Sequence, residues 1–225
     1  MHVWGEQWSL ATLRIVDLET RKVSNLISDR HLMDFSWSPD GTRVAYASSR
    51  TPELENGFLE DLTISTIDAD LSHLTSRKDV CALPKAHDID LTWANDGKLY
   101  VCSSVPAGKM LAGHGVYSID PDSHSSSYEH LDFGIEYDAV SLTKASNGEV
   151  LGKVEHRLES RICSLGGKVL YGQQQEIEAF DAVYPNEEDI PSLQSRHLTS
   201  ITQWKCLRRT MEVSRWYNCL TIERH

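Results

Sequence analysis

The sequence predicts an all-β fold, a partial (incomplete) β-propeller of four-stranded blades. Three observations carry this. Two short motifs recur along the chain with the same spacing, no segment sustains a helical period, and turn residues punctuate most of the chain every 8 to 12 positions or so. In the first motif, Gly41, Gly97 and Gly148 are 56 and 51 residues apart. In the second, Asp17, Asp68 and Asp120 are 51 and 52 residues apart. Two registers with one period mean one repeating module, and four antiparallel strands in about 40–50 residues is the blade of a propeller. A two-sheet sandwich explains the strands but not the shared spacing.

The elements follow in chain order. Leu13-Arg14-Ile15-Val16-Asp17 and the apolar patch from Val23 to Ile27 read as the third and fourth strands of a blade. Phe35 to Ser48 then reads as strand, turn, strand, with Asp40-Gly41 predicting a primed hairpin turn because glycine accepts positive φ. Ile64 to Asp68 and the patch Leu71 to Leu74 complete a blade over about 33–76. Leu91 to Val101, Val116 to Asp120 and Tyr128 to Leu131 repeat it over about 89–132. A weaker copy spans about 138–172, with turns at Asn147-Gly148 and Gly166-Gly167. Glu176 to Val183 reads as the first strand of a further blade, but Tyr184 to Pro191 reads as a solvated loop where its partner strand belongs, with Arg196-His197-Leu198-Thr199 as a blade strand after it. The expected division is a partial propeller over residues 1–199, about three complete blades plus fragments, and a poorly ordered tail over 200–225. Closed propellers have about 4–8 blades, so the expectation is an open arc, a partner-dependent half or a poorly folded piece.

Composition narrows the function classes. The chain has 225 residues, 40% of them hydrophobic, which suffices for a packed core and excludes wholesale disorder. The net charge of −11 and the pI near 5.3 disfavour nucleic-acid binding through a general basic field. No apolar run approaches the roughly 18 residues of a membrane span, and MHVWGEQWSL has neither the basic nor the apolar region of a secretory signal. Five cysteines, Cys81, Cys102, Cys163, Cys206 and Cys219, are odd in number and widely spaced, without a C-x-x-C. They read as reduced thiols of a cytoplasmic protein. Residues 201–225 differ in character: five Lys/Arg and two acids stand there, against a net −14 over the rest.

The string SWSPDGTRVAYASSR, with DLTISTIDAD and LSHLT, resembles the PD40-type blades of TolB-like propellers. Ala47-Ser48-Ser49-Arg50-Thr51-Pro52-Glu53-Leu54-Glu55 and Ile177-Glu178-Ala179-Phe180-Asp181 resemble the propeller portion of the prolyl oligopeptidase superfamily of serine peptidases, in its dipeptidyl-aminopeptidase and acylaminoacyl-peptidase branch. The resemblance covers about residues 10–199. It implies a propeller that filters peptides by size in front of an α/β-hydrolase domain with a Ser-Asp-His triad. The sequence has no G-x-S-x-G, and too few residues follow 199 to build that domain, so no catalytic residue carries over. The family also uses acidic propeller residues to hold a substrate amino group; Glu53 and Glu55 do not match that motif. The segment ITQWKCLRRTMEVSRWYNCLTIERH resembles nothing in the family. It reads as the product of a frameshift, a retained intron or a degenerate gene end, or else as a basic partner-binding tail.

Other candidate chemistry has simpler readings. His114, His124 and His130, with Asp120 and Asp122, fit no zinc spacing and read as loop residues. Cys81 and His87 flank Pro84 and do not read as a thiol–imidazole pair. Trp37 and Trp93 occupy equivalent repeat positions and read as core. Asp40 and Asp96 read as turn formers, Asp17, Asp68 and Asp120 as strand-end acceptors, and Glu187-Glu188-Asp189 as a solvated loop. Gly166-Gly167 reads as a hairpin turn rather than a phosphate loop, since no helix or Lys-Ser/Thr pair follows. The sequence therefore assigns no catalytic residue, no metal ligand and no cofactor, and leaves the substrate-binding residues unassigned. Expected partners are a peptide substrate or a protein, with no nucleic acid and no membrane, and self-association through open propeller edges. The expected function is the truncated, substrate-gating part of a serine peptidase. The alternatives are a TolB-like protein- or peptide-binding module and a degenerate remnant.

Overall fold

The protein is described from a computed structural model, which places residues 10–52, 61–69, 77–84, 89–105, 113–123, 127–131, 138–173, 177–184, 192–197 and 219–223. The described residues form strands, turns, bends and irregular connections, with no helix among them.

The strands are Thr12–Val16 (β1), Val23–Ile27 (β2), His31–Trp37 (β3), Arg43–Ser49 (β4), Leu62–Asp68 (β5), Lys78–Leu83 (β6), Asp90–Trp93 (β7), Leu99–Val105 (β8) and Gly113–Ile119 (β9). They continue with Tyr128–Leu131 (β10), Asp138–Lys144 (β11), Val150–His156 (β12), Glu159–Ser164 (β13), Val169–Gln173 (β14), Ile177–Val183 (β15), Ser192–His197 (β16) and Cys219–Glu223 (β17). Three sheets are complete antiparallel meanders of four strands: sheet II (β3-β4-β5-β6), sheet III (β7-β8-β9-β10) and sheet IV (β11-β12-β13-β14). Two shorter sheets flank them: sheet I, of order β17-β1-β2, and sheet V, the β15–β16 hairpin. The protein is a partial β-propeller, as its repeats predict.

The repeat has a physical basis in its turns. Gly41, Gly97, Gly148 and Gly167 all have positive φ, between 70° and 87°. Each donates its amide back three residues, Gly41 to Ser38 O at 2.9 Å and Gly148 to Ala145 O at 2.9 Å, for example. The expected primed turn is not what forms. Asp40 keeps negative φ, and only the glycine is left-handed: a type I turn closed by a left-handed glycine, in which Pro39 fits the first central position. Asp40 Oδ1 accepts bonds from Ser38 Oγ, Thr42 N and Thr42 Oγ1, and these hold its carboxyl down at about 2.

The core is a series of apolar layers between successive sheets. Val44 and Tyr46 of β4 meet Leu13 and Ile15 of sheet I, while Ala45 and Ala47 of the same strand meet Leu91 and Trp93 of sheet III. A strand buried on both faces reads as a continuous apolar run, which β4 does. Tyr100, Cys102 and Val116 meet Ala139 and Val154 between sheets III and IV. Leu151 and Ile162 meet Ile177 and Phe180 between sheets IV and V. Each fully buried Leu or Ile in these layers contributes about 1.5–3 kcal/mol.

Three expectations need correction or completion. The fourth strand of sheet II is β6, at Lys78–Leu83, not the patch Leu71 to Leu74, which lies outside the described residues. β6 alternates exposed and buried residues weakly, as an outermost strand facing solvent does. The strand partner of β15 does come: β16 pairs with it, Phe180 opposite Ser195. β15 also carries a one-residue irregularity between Ile177 and Ala179, matching those between Leu32 and Asp34 in β3 and between Ala139 and Ser141 in β11. The same bulge in three first strands marks β15 as the same element. Within the C-terminal segment, β17 lies antiparallel to β1, with Val16 opposite Cys219 and Thr12 opposite Glu223.

Candidate functional site

First strands of successive sheets are stapled by side chains. Leu91 N donates to Asp34 Oδ2 at 2.7 Å, and Leu142 N donates to Asp90 Oδ2 at 2.8 Å. Trp93 N donates to Ser36 Oγ at 2.9 Å. Asp34 Oδ1 also accepts from Phe35 N at 2.8 Å. Burial dominates the Asp34 carboxyl and raises it to about 6 despite these bonds, with the Asp90 charge adding to the rise. Burial raises Asp90 as well. Both aspartates stand seven residues before a turn glycine, an offset that the sequence carries beside the glycine and strand-end repeats. In sheet IV the bulge register puts Ser141 at this place.

A second set of staples joins the turns. Arg43 makes a two-pronged pair with Asp122, Nη1 to Oδ1 at 2.7 Å and Nη2 to Oδ2 at 3.2 Å. Its guanidinium sits 4.9 Å from the Trp93 ring centroid. Lys78 Nζ donates to Pro121 O at 2.7 Å.

Between the turns of sheets III and IV lies a cleft of about 300 Å³, lined by Asp96, Tyr100, Gly148, Glu149, Ser164 and Gly166, among others. Tyr100 OH donates to Asp96 Oδ2 at 2.6 Å, and Tyr184 OH donates to Glu149 Oε2 at 2.6 Å. Burial, then the bond to Glu149, pushes the Tyr184 phenol up to about 12; burial and Asp96 raise Tyr100 in the same direction. The Asn95 side chain lies directly over Gly148, where any Cβ would collide with it. The cleft therefore presents two carboxylates, each already held by a phenol. Ser164 Oγ, also on its wall, accepts the Lys168 amide at 3.3 Å. The chemistry on offer is hydrogen-bond acceptance and negative charge. Asp96, read as a turn former, is one, accepting Lys98 N at 2.9 Å, and is also a wall of this cleft. Glu149 and Tyr184 are not marked by any repeat.

The remaining candidates fall as follows. Trp93 is buried in the layer between sheets II and III, and Trp37 packs against the layer between sheets I and II. Asp17 Oδ1 accepts the amides of Glu19 and Thr20, and Asp120 Oδ1 accepts that of Asp122. His114 stands beside Asp138, Nδ1 to Oδ1 at 3.7 Å, while His130 lies against Tyr117, ring centroids 5.5 Å apart. Among the described residues no three His, Cys, Asp or Glu gather as a metal would need. Cys81, Cys102 and Cys163 are buried cysteines outside any disulfide, Cys102 Sγ donating to Ala139 O at 2.9 Å, and burial pushes Cys81 up to about 12. His87, His124, Glu53, Glu55 and the run Glu187-Glu188-Asp189 lie outside the described residues. Among the described residues no helix is long and apolar enough to cross a membrane.

Comparison with known proteins places the fold. No protein-family profile and no curated protein matches the sequence. Solved structures do. A puromycin-hydrolyzing peptidase of Mycobacterium tuberculosis superposes with a TM-score of 0.50 and 12% identity, covering 72% of this chain and 25% of its own. A puromycin hydrolase gives 0.51 and 14%, with the same coverage. TolB from Acinetobacter baumannii gives 0.51 and 16%, covering 84% of this chain and 49% of its own. At such identities the likeness is one of fold: a propeller of the kind found in TolB and in these peptidases. The chain spans about a quarter of the peptidase and hydrolase structures and about half of TolB.

Proposed function

We propose that the chain is the propeller part of a serine peptidase of the prolyl oligopeptidase type, a non-catalytic module that gates peptide access to a hydrolase domain. The observation that supports this reading is the arc itself. Sheets II to IV follow one another as repeated four-stranded blades with stapled first strands, and 72% of the chain superposes on puromycin-hydrolysing enzymes with TM-scores of 0.50 and 0.51, against 0.51 for TolB. In this reading the staples keep neighbouring blades from parting, so that the arc acts as a rigid sieve rather than a reacting surface. By itself the chain is expected to lack peptidase activity, because no G-x-S-x-G occurs in its 225 residues. A cytoplasmic setting is part of the proposal, supported by Cys81, Cys102 and Cys163 standing outside any disulfide.

A second reading, a TolB-like module that binds a protein or peptide, is favoured by coverage: TolB matches 84% of this chain against 72% for the peptidases. Sequencing the messenger RNA through and beyond the codon for His225 separates the two. A reading frame that continues into G-x-S-x-G, Asp and His supports the gate. A stop after that codon overturns the gate for this product and leaves the binding module, which a peptide-binding screen by fluorescence polarisation then tests.

A further inference from the structure

The two incomplete sheets are complementary halves of one blade. β15 has the bulge of a first strand, and β16 is paired to it as β4 is to β3. β1 corresponds to β5, since Leu13 to Asp17 repeats Ile64 to Asp68 with an offset of 51, and β2 follows as a fourth strand follows a third. Sheet V thus holds a first and second strand; sheet I holds a third and fourth. Among the described residues β16 pairs with β15 alone, and β15 packs on β11 of sheet IV. β1 packs on β3, at the other end of the arc.

The second-strand place beside β1 is held by β17. Val16 and Thr12 face Cys219 and Glu223, as Ile67 and Thr63 of β5 face Val44 and Ser48 of β4. β17 thus stands in register for a second strand, but it arrives from the far end of the sequence with no first strand beside it in the described structure.

We propose that two copies of this chain join by exchanging these halves, the β15–β16 hairpin of each copy pairing through β16 with β1 of the other, in the place β17 holds in the single chain. By their described residues each copy contributes three complete blades, and the two exchanged pairs make two composite blades, which gives a ring of eight. That count lies within the range of closed propellers, about 4–8. Closure by C2 symmetry is self-complementary and removes the open strand edges that otherwise invite uncontrolled pairing. The register follows from β4 and β5. Ser195, opposite Phe180 as Tyr46 is opposite Phe35, stands across from Arg14 of the other copy, as Tyr46 stands across from Ser65. β17 is then a competitor, and pairing between copies requires its release. The inference concerns the 225-residue chain by itself, the product its test uses.

The test uses the full chain. Sedimentation velocity across micromolar concentrations is expected to show the single-chain mass giving way to twice that mass. Thr221→Pro, which weakens β17 pairing, is expected to shift the midpoint to at least about tenfold lower concentration. For register, Arg14→Cys and Ser195→Cys are made in separate chains, both with Cys206→Ser and Cys219→Ser, and mixed under mild oxidation. The proposal expects a covalent dimer in the mixture, well above that from either chain alone. A single-chain mass at every concentration overturns it. So does a chain carrying both new cysteines that closes its disulfide within itself, which would mean a ring of four blades in one copy. Far-ultraviolet circular dichroism of each variant confirms that the β fold is retained.

Discussion

Asp34 is a half-buried carboxylate that staples two blades, and its stability contribution follows from its titration. In the unfolded chain it titrates near 3.8; in the folded chain, near 6. Between those values the folded state holds a proton that the unfolded state has released. Stability from this group is therefore fully present below about pH 4 and falls as pH rises through about 6, after which it is constant. Two decades of proton affinity correspond to about 3 kcal/mol. Asp34→Asn removes the titration while keeping one acceptor for the Leu91 amide, so it should flatten this part of the curve. At neutral pH the loss of the charge's burial cost offsets the loss of one of the two accepted amide bonds, about 1–3 kcal/mol, and net stability changes little. The assay is urea unfolding followed by tryptophan fluorescence at half-unit steps from pH 4 to 7, on wild type and variant. Asp90 rises in the same direction and remains in both proteins, so the difference between the two curves reports Asp34 together with its repulsion from Asp90. Parallel curves, with no change in slope on substitution, would refute the reasoning.

Other predictions concern the turns, the surface staple and the thiols. Gly41 and Gly148 both have positive φ, but only Gly148 is covered, by Asn95. Gly41→Ala should cost about 1 kcal/mol from backbone strain, and Gly148→Ala distinctly more, read from chemical unfolding; equal costs would contradict the packed turn. Arg43→Ala removes the Asp122 pair and the contact with Trp93. Because Arg43 and Asp122 side chains are 29% and 67% exposed, the expected loss is only about 1 kcal/mol and shrinks in high salt, with a shift in tryptophan emission. In a Cys206→Ser, Cys219→Ser background, Cys81, Cys102 and Cys163 should react with a disulfide reagent only as fast as the protein unfolds; fast labelling of the folded chain would contradict their burial.

What was legible in the sequence was local. A left-handed glycine after a short polar turn is specified by four neighbouring residues, so the hairpins at 41, 97, 148 and 167 could be read directly. Double-sided burial gives β4 its continuous apolar run, so the inner strands could be read as well. The outer strands β2 and β10 fall where their apolar patches predict, but β6 does not, since one of its faces meets water and its pattern is weaker than that of the neighbouring patch at Leu71 to Leu74. The turn at Asp40-Gly41 is not of the primed type that the dipeptide predicts; it has the left-handed glycine and three-residue back-bond found at Gly97, Gly148 and Gly167, so the dipeptide alone does not set the turn type. The staples at Asp34 and Asp90 stand at a constant offset from a glycine, yet an aspartate alone does not announce that its acceptor faces the next blade. The cleft was least legible, because Tyr184 reaches Glu149 across 35 residues of chain and neither belongs to the repeat.

The central claim is that successive sheets are blades, ordered by carboxylate staples between their first strands. Amide hydrogen exchange at Leu91 and Leu142, followed by nuclear magnetic resonance, tests it most directly. The account predicts that both amides are protected in the wild type and that Asp34→Ala exposes Leu91 while Leu142, held by Asp90, stays protected. Rapid exchange of both amides in the wild type, or unchanged protection of Leu91 in the variant, would contradict the blade order.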